Sequence, residues 1–322
     1  MRLVSASGLW LITSPKKRDR GVCQVHFYIP AIEAPPVPPG HRFPASKYRL
    51  LRELVLAERI LPDGALRPSP LATRADLLLA HDAHYVDAIL SGTIGPDAMR
   101  RIGLPWNEAL AERSRATVGG AMAAARAALA TGLSGQLAGG THHAHRGFGS
   151  GFCVFNDLAV AALSLLAEGR ISRLAILDLD VHQGDGNSAI LKDVPGVLIV
   201  SIQGARNFPF RRVASHVDVD LADGTGDAAY LATLADVLPA LDAHRPELLL
   251  YLSGADALRE DRLGRLALTH EGLAERDRMV FEYCRLRGLP VSIAIGGGYA
   301  DPIELSVRGY ANTFKTALEV LG

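Results

Sequence analysis

Short apolar runs that recur between amphipathic segments constrain this chain more than any other feature. They cover residues 22–29, 136–138, 174–179, 197–202, 248–252 and 291–295. Between them, apolar residues at helical spacing predict helices over 46–58, 72–90, 108–131, 158–168, 230–243, 269–287 and 302–321. A strand buried on both faces reads as an unbroken apolar run, and strands that alternate with helices pair in parallel. The pattern therefore predicts an α/β fold: a parallel sheet with helices on both faces. No internal repeat or linker divides it, so one domain is expected, preceded by an N-terminal extension over residues 1–21. The proline-rich segment 30–40, the segment 95–107 and the Gly- and Asp-rich segment 203–227 read as loops.

Ligands of such sheets gather at the carboxyl ends of the strands. Every cluster of reactive residues in this chain falls there. His142 and His143 follow the run 136–138. Asp178, Asp180, His182 and Asp185 follow the run at 174, Asp256 follows 248–252, and Tyr299 follows 291–295 after three glycines. In an extended segment Asp178, Asp180 and His182 would share one face. Taken alone, that segment also fits a polar turn, and the two adjacent histidines also fit a surface pair. Their shared position at the strand ends favours a common site.

Asp180, His182 and Asp256 offer two carboxylates and an imidazole to a divalent cation. Catalytic zinc takes three protein ligands and keeps one position for water. It lowers the pKa of that water from 15.7 to about 7. Asp178 and Asp185 remain to accept bonds from imidazoles, which would fix their tautomers. A tyrosine at the end of a glycine-rich turn suits hydrogen bonding to a developing oxyanion.

Other observations bound the function. Lys+Arg and Asp+Glu are balanced at 34 each, so no global field favours nucleic acid or a membrane surface. The N-terminal apolar run precedes its basic cluster, the reverse of a secretory signal. No run approaches the ~20 residues that span a bilayer. Three cysteines, Cys23, Cys153 and Cys284, make no disulfide framework. A soluble, cytoplasmic protein is expected.

Taken in order, these residues resemble the histone deacetylase family of zinc amidohydrolases. The matching segments are His142-His143, Gly151-Phe152-Cys153 with Asn156-Asp157, and Asp178 to Gly186. Further along they are Gly254-Ala255-Asp256, Asp261-Arg262-Leu263-Gly264 and Gly296 to Tyr299. The early HRFP and the HQGDG spelling look closest to bacterial relatives of the class IV enzymes. The resemblance implies the arginase/deacetylase fold, with a central eight-stranded parallel sheet, over residues 22–322. It implies one zinc per chain on Asp180, His182 and Asp256, with iron(II) fitting the same ligands. It implies His143 as general base paired with Asp185, His142 paired with Asp178, and Tyr299 polarising the scissile carbonyl. Phe152, Phe208 and Leu263 would line a tunnel for an acylated amine, with the Gly151 carbonyl accepting the amide N–H. A structural potassium ion would sit near Asp178, Asp180, His182, Ser201 and Ile202.

Three departures from the family pattern stand out. Gln183 replaces a common histidine. The loop Gly103-Leu104-Pro105 lacks an aspartate with which many relatives grip a peptide. Lys47 stands where many relatives place an arginine beneath the metal. The expected substrate is an acyl-lysine-type amide. Small amides such as acetylpolyamines or anilides are the alternative, a ureohydrolase of the arginase branch is a third, and a non-enzymatic binding module a fourth. Neither nucleic acid nor membrane is an expected partner, and an oligomer is compatible with the sequence.

Overall fold

The predicted strands become the middle of an eight-stranded, wholly parallel sheet, with the one expected over 136–138 lying earlier, at Leu133–Gln136. The computed structural model describes residues 25–32 and 34–322. Its strands are β1 (Phe27–Ile29), β2 (Leu66–Pro68), β3 (Leu133–Gln136), β4 (Leu174–Asp178), β5 (Val197–Gly204), β6 (Val217–Leu221), β7 (Leu249–Leu252) and β8 (Val291–Ala294). Their spatial order is β2-β1-β3-β8-β7-β4-β5-β6. Strands β3, β4, β7 and β8 are buried at every position. Burying one Leu, Ile or Val side chain stabilises by roughly 2 kcal/mol, so these strands anchor the sheet at its centre. Their carboxyl ends carry the clusters singled out above.

Local chemistry sets the helix ends. In the helix Glu108–Thr131 the Asn107 side chain accepts the Leu110 N–H, and Gly132 closes the helix at φ +94°. The small residues within it permit close contact. A Cβ on Gly119 would lie 2.0 Å from the Pro70 carbonyl oxygen. Thr269 caps the helix His270–Arg287 by accepting the Gly272 N–H.

The structure departs from the sequence expectations at several places. Residues 72–90 form two helices, Arg74–Leu77 and Ala83–Ser91, with His81 in the turn between them. Segment 95–107 contains the helix Pro96–Ile102, entered through Pro96 and closed by Gly103 at φ +83°. Segment 203–227 contains β6, a half-exposed edge strand. Segment 230–243 is interrupted at Pro239, giving Asp227–Val237 and Pro239–His244. Strand β4 ends at Asp178, so Asp180 and His182 lie on an irregular turn rather than an extended strand. Residues 1–21 and Cys23 lie outside the described residues. Cys153 and Cys284 are free and buried. Among the described residues no helix is long and apolar enough to cross a membrane.

Candidate active site

The turn after β4 and the loop after β7 bring Asp180, His182 and Asp256 together. Their ligand atoms lie within 4.8 Å of one another and all three residues are buried. His182 Nδ1 is 3.0 Å from Asp180 Oδ1 and 3.0 Å from Asp256 Oδ2. Backbone donors orient the carboxylates: Val181 N–H to Asp256 Oδ1 at 2.9 Å, and Gly297 N–H to Asp180 Oδ2 at 2.6 Å. Glycines clear the space around them. A Cβ on Gly297 would lie 2.0 Å from Asp256 Oδ2 and 2.9 Å from Asp180 Oδ2. Buried carboxylates this close are costly without a counter-charge. Two carboxylates and an imidazole aimed into a cleared space fit zinc or iron(II).

Beside this cluster stand two imidazoles, each held by a carboxylate. His142 Nδ1 donates to Asp178 Oδ2 at 2.8 Å, and His143 Nδ1 donates to Asp185 Oδ1 at 2.7 Å. The two rings lie 4.1 Å apart. Burial pulls both histidines toward the neutral form. For His142 the carboxylates of Asp178 and Asp180 outweigh it and raise its pKa to about 9. For His143 burial and the neighbouring His142 prevail and lower it to about 4. Burial also opposes charge on His182, but Asp180 and Asp256 bring it up to about 10. Asp256 is pushed up to about 7 by burial and then by Asp180.

The histidine-bearing loop is fixed by residues whose part the sequence did not disclose. Asp157, buried at the start of the helix Asp157–Ala167, accepts the N–H groups of Gly140 at 3.0 Å and Thr141 at 2.8 Å. It also accepts the Thr141 hydroxyl at 2.7 Å and Gln136 Nε2 at 2.9 Å. Asn156 caps that helix and donates Nδ2–H to the Ala144 carbonyl at 3.1 Å. His81 accepts the Asn156 N–H at Nε2 and donates Nδ1–H to the His145 carbonyl, both at 2.9 Å. It is therefore a buried brace with both ring nitrogens satisfied, whereas His84 is exposed. His145 Nε2 approaches the second oxygen of Asp185 at 2.9 Å. On the far side, Arg276 donates to the carbonyls of Gly254 at 2.7 Å and Ser253 at 3.1 Å, holding the loop that carries Asp256. Asn156-Asp157 stood out only as part of the family pattern, and no local signal marked His81 or Arg276, because each partner is distant in sequence.

A cavity of about 800 Å³ leads down to the cluster, lined among others by Gly151, Phe152, Phe208, Leu263 and Tyr299. Gly151 and Phe152 both have positive φ, +53° and +64°. A Cβ on Gly151 would lie 2.6 Å from His143 Cδ2, so only glycine fits there. The Phe208 ring stands edge-on to His143, with centroids 4.8 Å apart. Tyr299 is buried, and burial raises its pKa well above the usual phenol value, so it stays a hydroxyl donor. Asp261 accepts the N–H groups of Leu263 and Gly264, each at 2.8 Å, and of Tyr299 at 2.6 Å. One carboxylate thereby ties two walls of the cavity together. Lys47 is buried deeper, donating to the Gly298 carbonyl at 3.4 Å and the Tyr310 hydroxyl at 3.2 Å. Gln183 turns away from the cluster, donating to Val213 O at 3.1 Å and Asp218 Oδ1 at 2.9 Å. Ser201 faces Asp178 across β4 and β5, and its hydroxyl donates to Gln203 Oε1 at 2.6 Å. Ile202 follows it in β5 and is buried.

An eight-stranded parallel sheet with these loops at its carboxyl edge is the arginase/deacetylase fold. The chain is similar to an HDAC homologue from Aquifex aeolicus, with a TM-score of 0.78 and 23% identity over 92% of this chain and 88% of that one. The histone deacetylase domain matches residues 41–314, and the chain belongs to that family of hydrolases. It is 42% identical to an uncharacterised protein of Picosynechococcus over 88% of this chain and 95% of that protein. It is 31% identical to histone deacetylase 2 of Arabidopsis thaliana over 85% and 76%. It is 30% identical to a histone deacetylase-like amidohydrolase of Pseudomonas aeruginosa over 83% and 74%.

Proposed function

We propose that this chain is a zinc-dependent deacylase that hydrolyses the amide of an acylated amine of the lysine type. The observation that carries the proposal is the juxtaposition just described: two buried imidazoles, each bonded at Nδ1 to a carboxylate, beside the converging Asp180, His182 and Asp256. Those three residues would hold one zinc ion, or iron(II). Bound there, it would supply Lewis acidity for the carbonyl and lower the pKa of water. His143 accepts the proton of the attacking water at Nε2, because Asp185 occupies its Nδ1. His142, stabilised in its charged form by Asp178, supports the positive charge that develops and helps protonate the leaving amine. Tyr299 donates its hydroxyl proton to the carbonyl oxygen as negative charge grows there. The Gly151 carbonyl accepts the substrate amide N–H, and Phe152, Phe208 and Leu263 enclose the aliphatic chain. A potassium ion near Asp178, Asp180, His182, Ser201 and Ile202 would stiffen the β4–β5 edge of the site.

The loop Gly103-Leu104-Pro105 has no carboxylate to grip a peptide backbone, which also supports a small amide as substrate. A panel of acetyl-lysine peptides, longer acyl-lysines, acetylpolyamines and anilides decides between these substrates, run with metal analysis. Asp180→Asn should lose zinc and activity together, and an active, metal-free variant would sink the proposal. Tyr299→Phe should lower kcat by about 10²-fold with KM little changed. Two metal ions per chain would favour a ureohydrolase.

A further inference from the structure

We infer that the substrate carries negative charge on the amine side of its scissile bond: the leaving amine is part of a carboxylate-bearing molecule. This inference rests on the deacylase reading and adds a substrate class to it. Five exposed arginines, Arg42, Arg101, Arg206, Arg262 and Arg265, line the cavity that leads to the cluster. The acid lining that cavity is Asp180, at its floor. The exposed charged residues that line the cavity are therefore all cationic.

Local acids do not cancel this charge. Arg206 and Arg265 share one carboxylate, Asp223, at 3.7 and 3.1 Å. Asp261, next to Arg262 in sequence, is turned inward onto three backbone N–H groups. Among the described residues Arg42, Arg101 and Arg262 have no carboxylate within ion-pair distance. They are positioned by uncharged groups instead. The Arg42 guanidinium lies 5.2 Å from the Phe152 ring centre, and that of Arg101 lies 4.7 Å from the Phe148 ring centre. Arg262 Nε donates to the Tyr299 carbonyl at 3.3 Å. Such contacts hold a guanidinium in place and leave its charge available.

A rim of one sign steers ligands of the opposite sign and rejects those of its own. Polyamines and lysine-rich tails would meet repulsion at this mouth. A carboxylate beside the leaving amine would meet planar forks suited to it. Two sources share that chemistry: an acyl-lysine flanked by Asp or Glu in a polypeptide, and a small acylated amino acid with a free carboxylate.

The test uses the full chain loaded with zinc. Its substrates are acetyl-lysine peptides with acidic, neutral or basic flanks, free Nε-acetyl-lysine, its methyl ester, and acetylputrescine. We expect kcat/KM to fall from acidic to neutral to basic flanks by roughly ten-fold per step at low salt. The spread should shrink between about 50 and about 500 mM NaCl. Free acetyl-lysine should exceed its methyl ester. Arg42→Gln with Arg262→Gln should bring the acidic-to-neutral ratio toward one. Faster turnover of free acetyl-lysine than of acidic peptide would assign the small-molecule source, and the reverse an acidic segment; either supports the inference. Basic peptides or acetylputrescine matching the acidic peptide at low salt would overturn it. Anisotropy of the same peptides on Tyr299→Phe, where turnover is slowed, reads the charge order from binding. Loss of that order defeats the inference alone, whereas absent turnover of every substrate by the unmodified chain defeats the deacylase reading alone.

Discussion

His143 and Asp185 stand 2.7 Å apart, imidazole Nδ1 to carboxylate Oδ1, and both are buried. The same carboxylate reaches His145 with its other oxygen. Asp185→Asn keeps the shape of this bridge and removes its charge. It should lower kcat by about 10- to 100-fold while thermal unfolding shifts little. His145→Gln should cause a smaller fall. Steady-state kinetics with paired melting curves check both, and an Asp185→Asn variant with unchanged kcat would remove the carboxylate from the chemistry.

Gly297 is needed for the space it leaves. In Gly297→Ala the new Cβ would lie 2.0 Å from Asp256 Oδ2, which must move or lose its aim. Zinc retention should drop, and activity with it by at least roughly ten-fold, without loss of the fold. Metal content after dialysis, with circular dichroism as control, reads the outcome. Full retention of zinc would show that the cradle tolerates a methyl group.

Asp261 links Leu263, Gly264 and Tyr299 through three backbone N–H groups. Asp261→Ala leaves these donors unmet, each at a cost of about 1–3 kcal/mol where buried. Part of that cost falls on stability and part on the placement of Tyr299. The variant should melt earlier and show lower kcat on every substrate. Asp261→Asn keeps some of the acceptors and should fall between it and the parent chain.

His81 should make stability depend on pH. Burial lowers its pKa from 6.5 to about 4, and its Nε2 must remain an acceptor for the Asn156 N–H. The unfolded chain takes up the proton near pH 6.5, while the folded chain resists until about pH 4. Stability present above pH 6.5 is therefore lost as pH falls through that window, by about 3 kcal/mol for a displacement of this size. Urea unfolding at pH 7 and near pH 4.5 measures the loss. His81→Asn removes the titration, so its acid sensitivity should be smaller even though the variant starts less stable.

Strands β4 and β7 were legible because burial on both faces makes Leu174–Leu177 and Leu249–Leu252 continuous apolar runs. Strands β2 and β6 were not. Leu66-Arg67-Pro68 and the alternating Val217–Leu221 lie at the two edges of the sheet, where one neighbour and partial exposure relax the demand for apolar residues. The helix Pro96–Ile102 carried its signals, proline at the start and glycine past the end, but is too short to show a clear period. At the site, Asp180, His182 and Asp256 could be grouped because each follows an apolar run. The roles of Asp157, His81 and Arg276 depend on partners from other parts of the chain, and no spacing in the sequence encodes those meetings.

Strands β3, β8, β7 and β4, whose loops carry the candidate site, each have a strand on both sides. The arginines of the mouth stand outside that framework, on loops and one short helix. Substitutions there leave the interior of the sheet untouched. This collar of surface charge can therefore be recoloured while the buried interior stays intact. For an engineer, the collar is the place to begin.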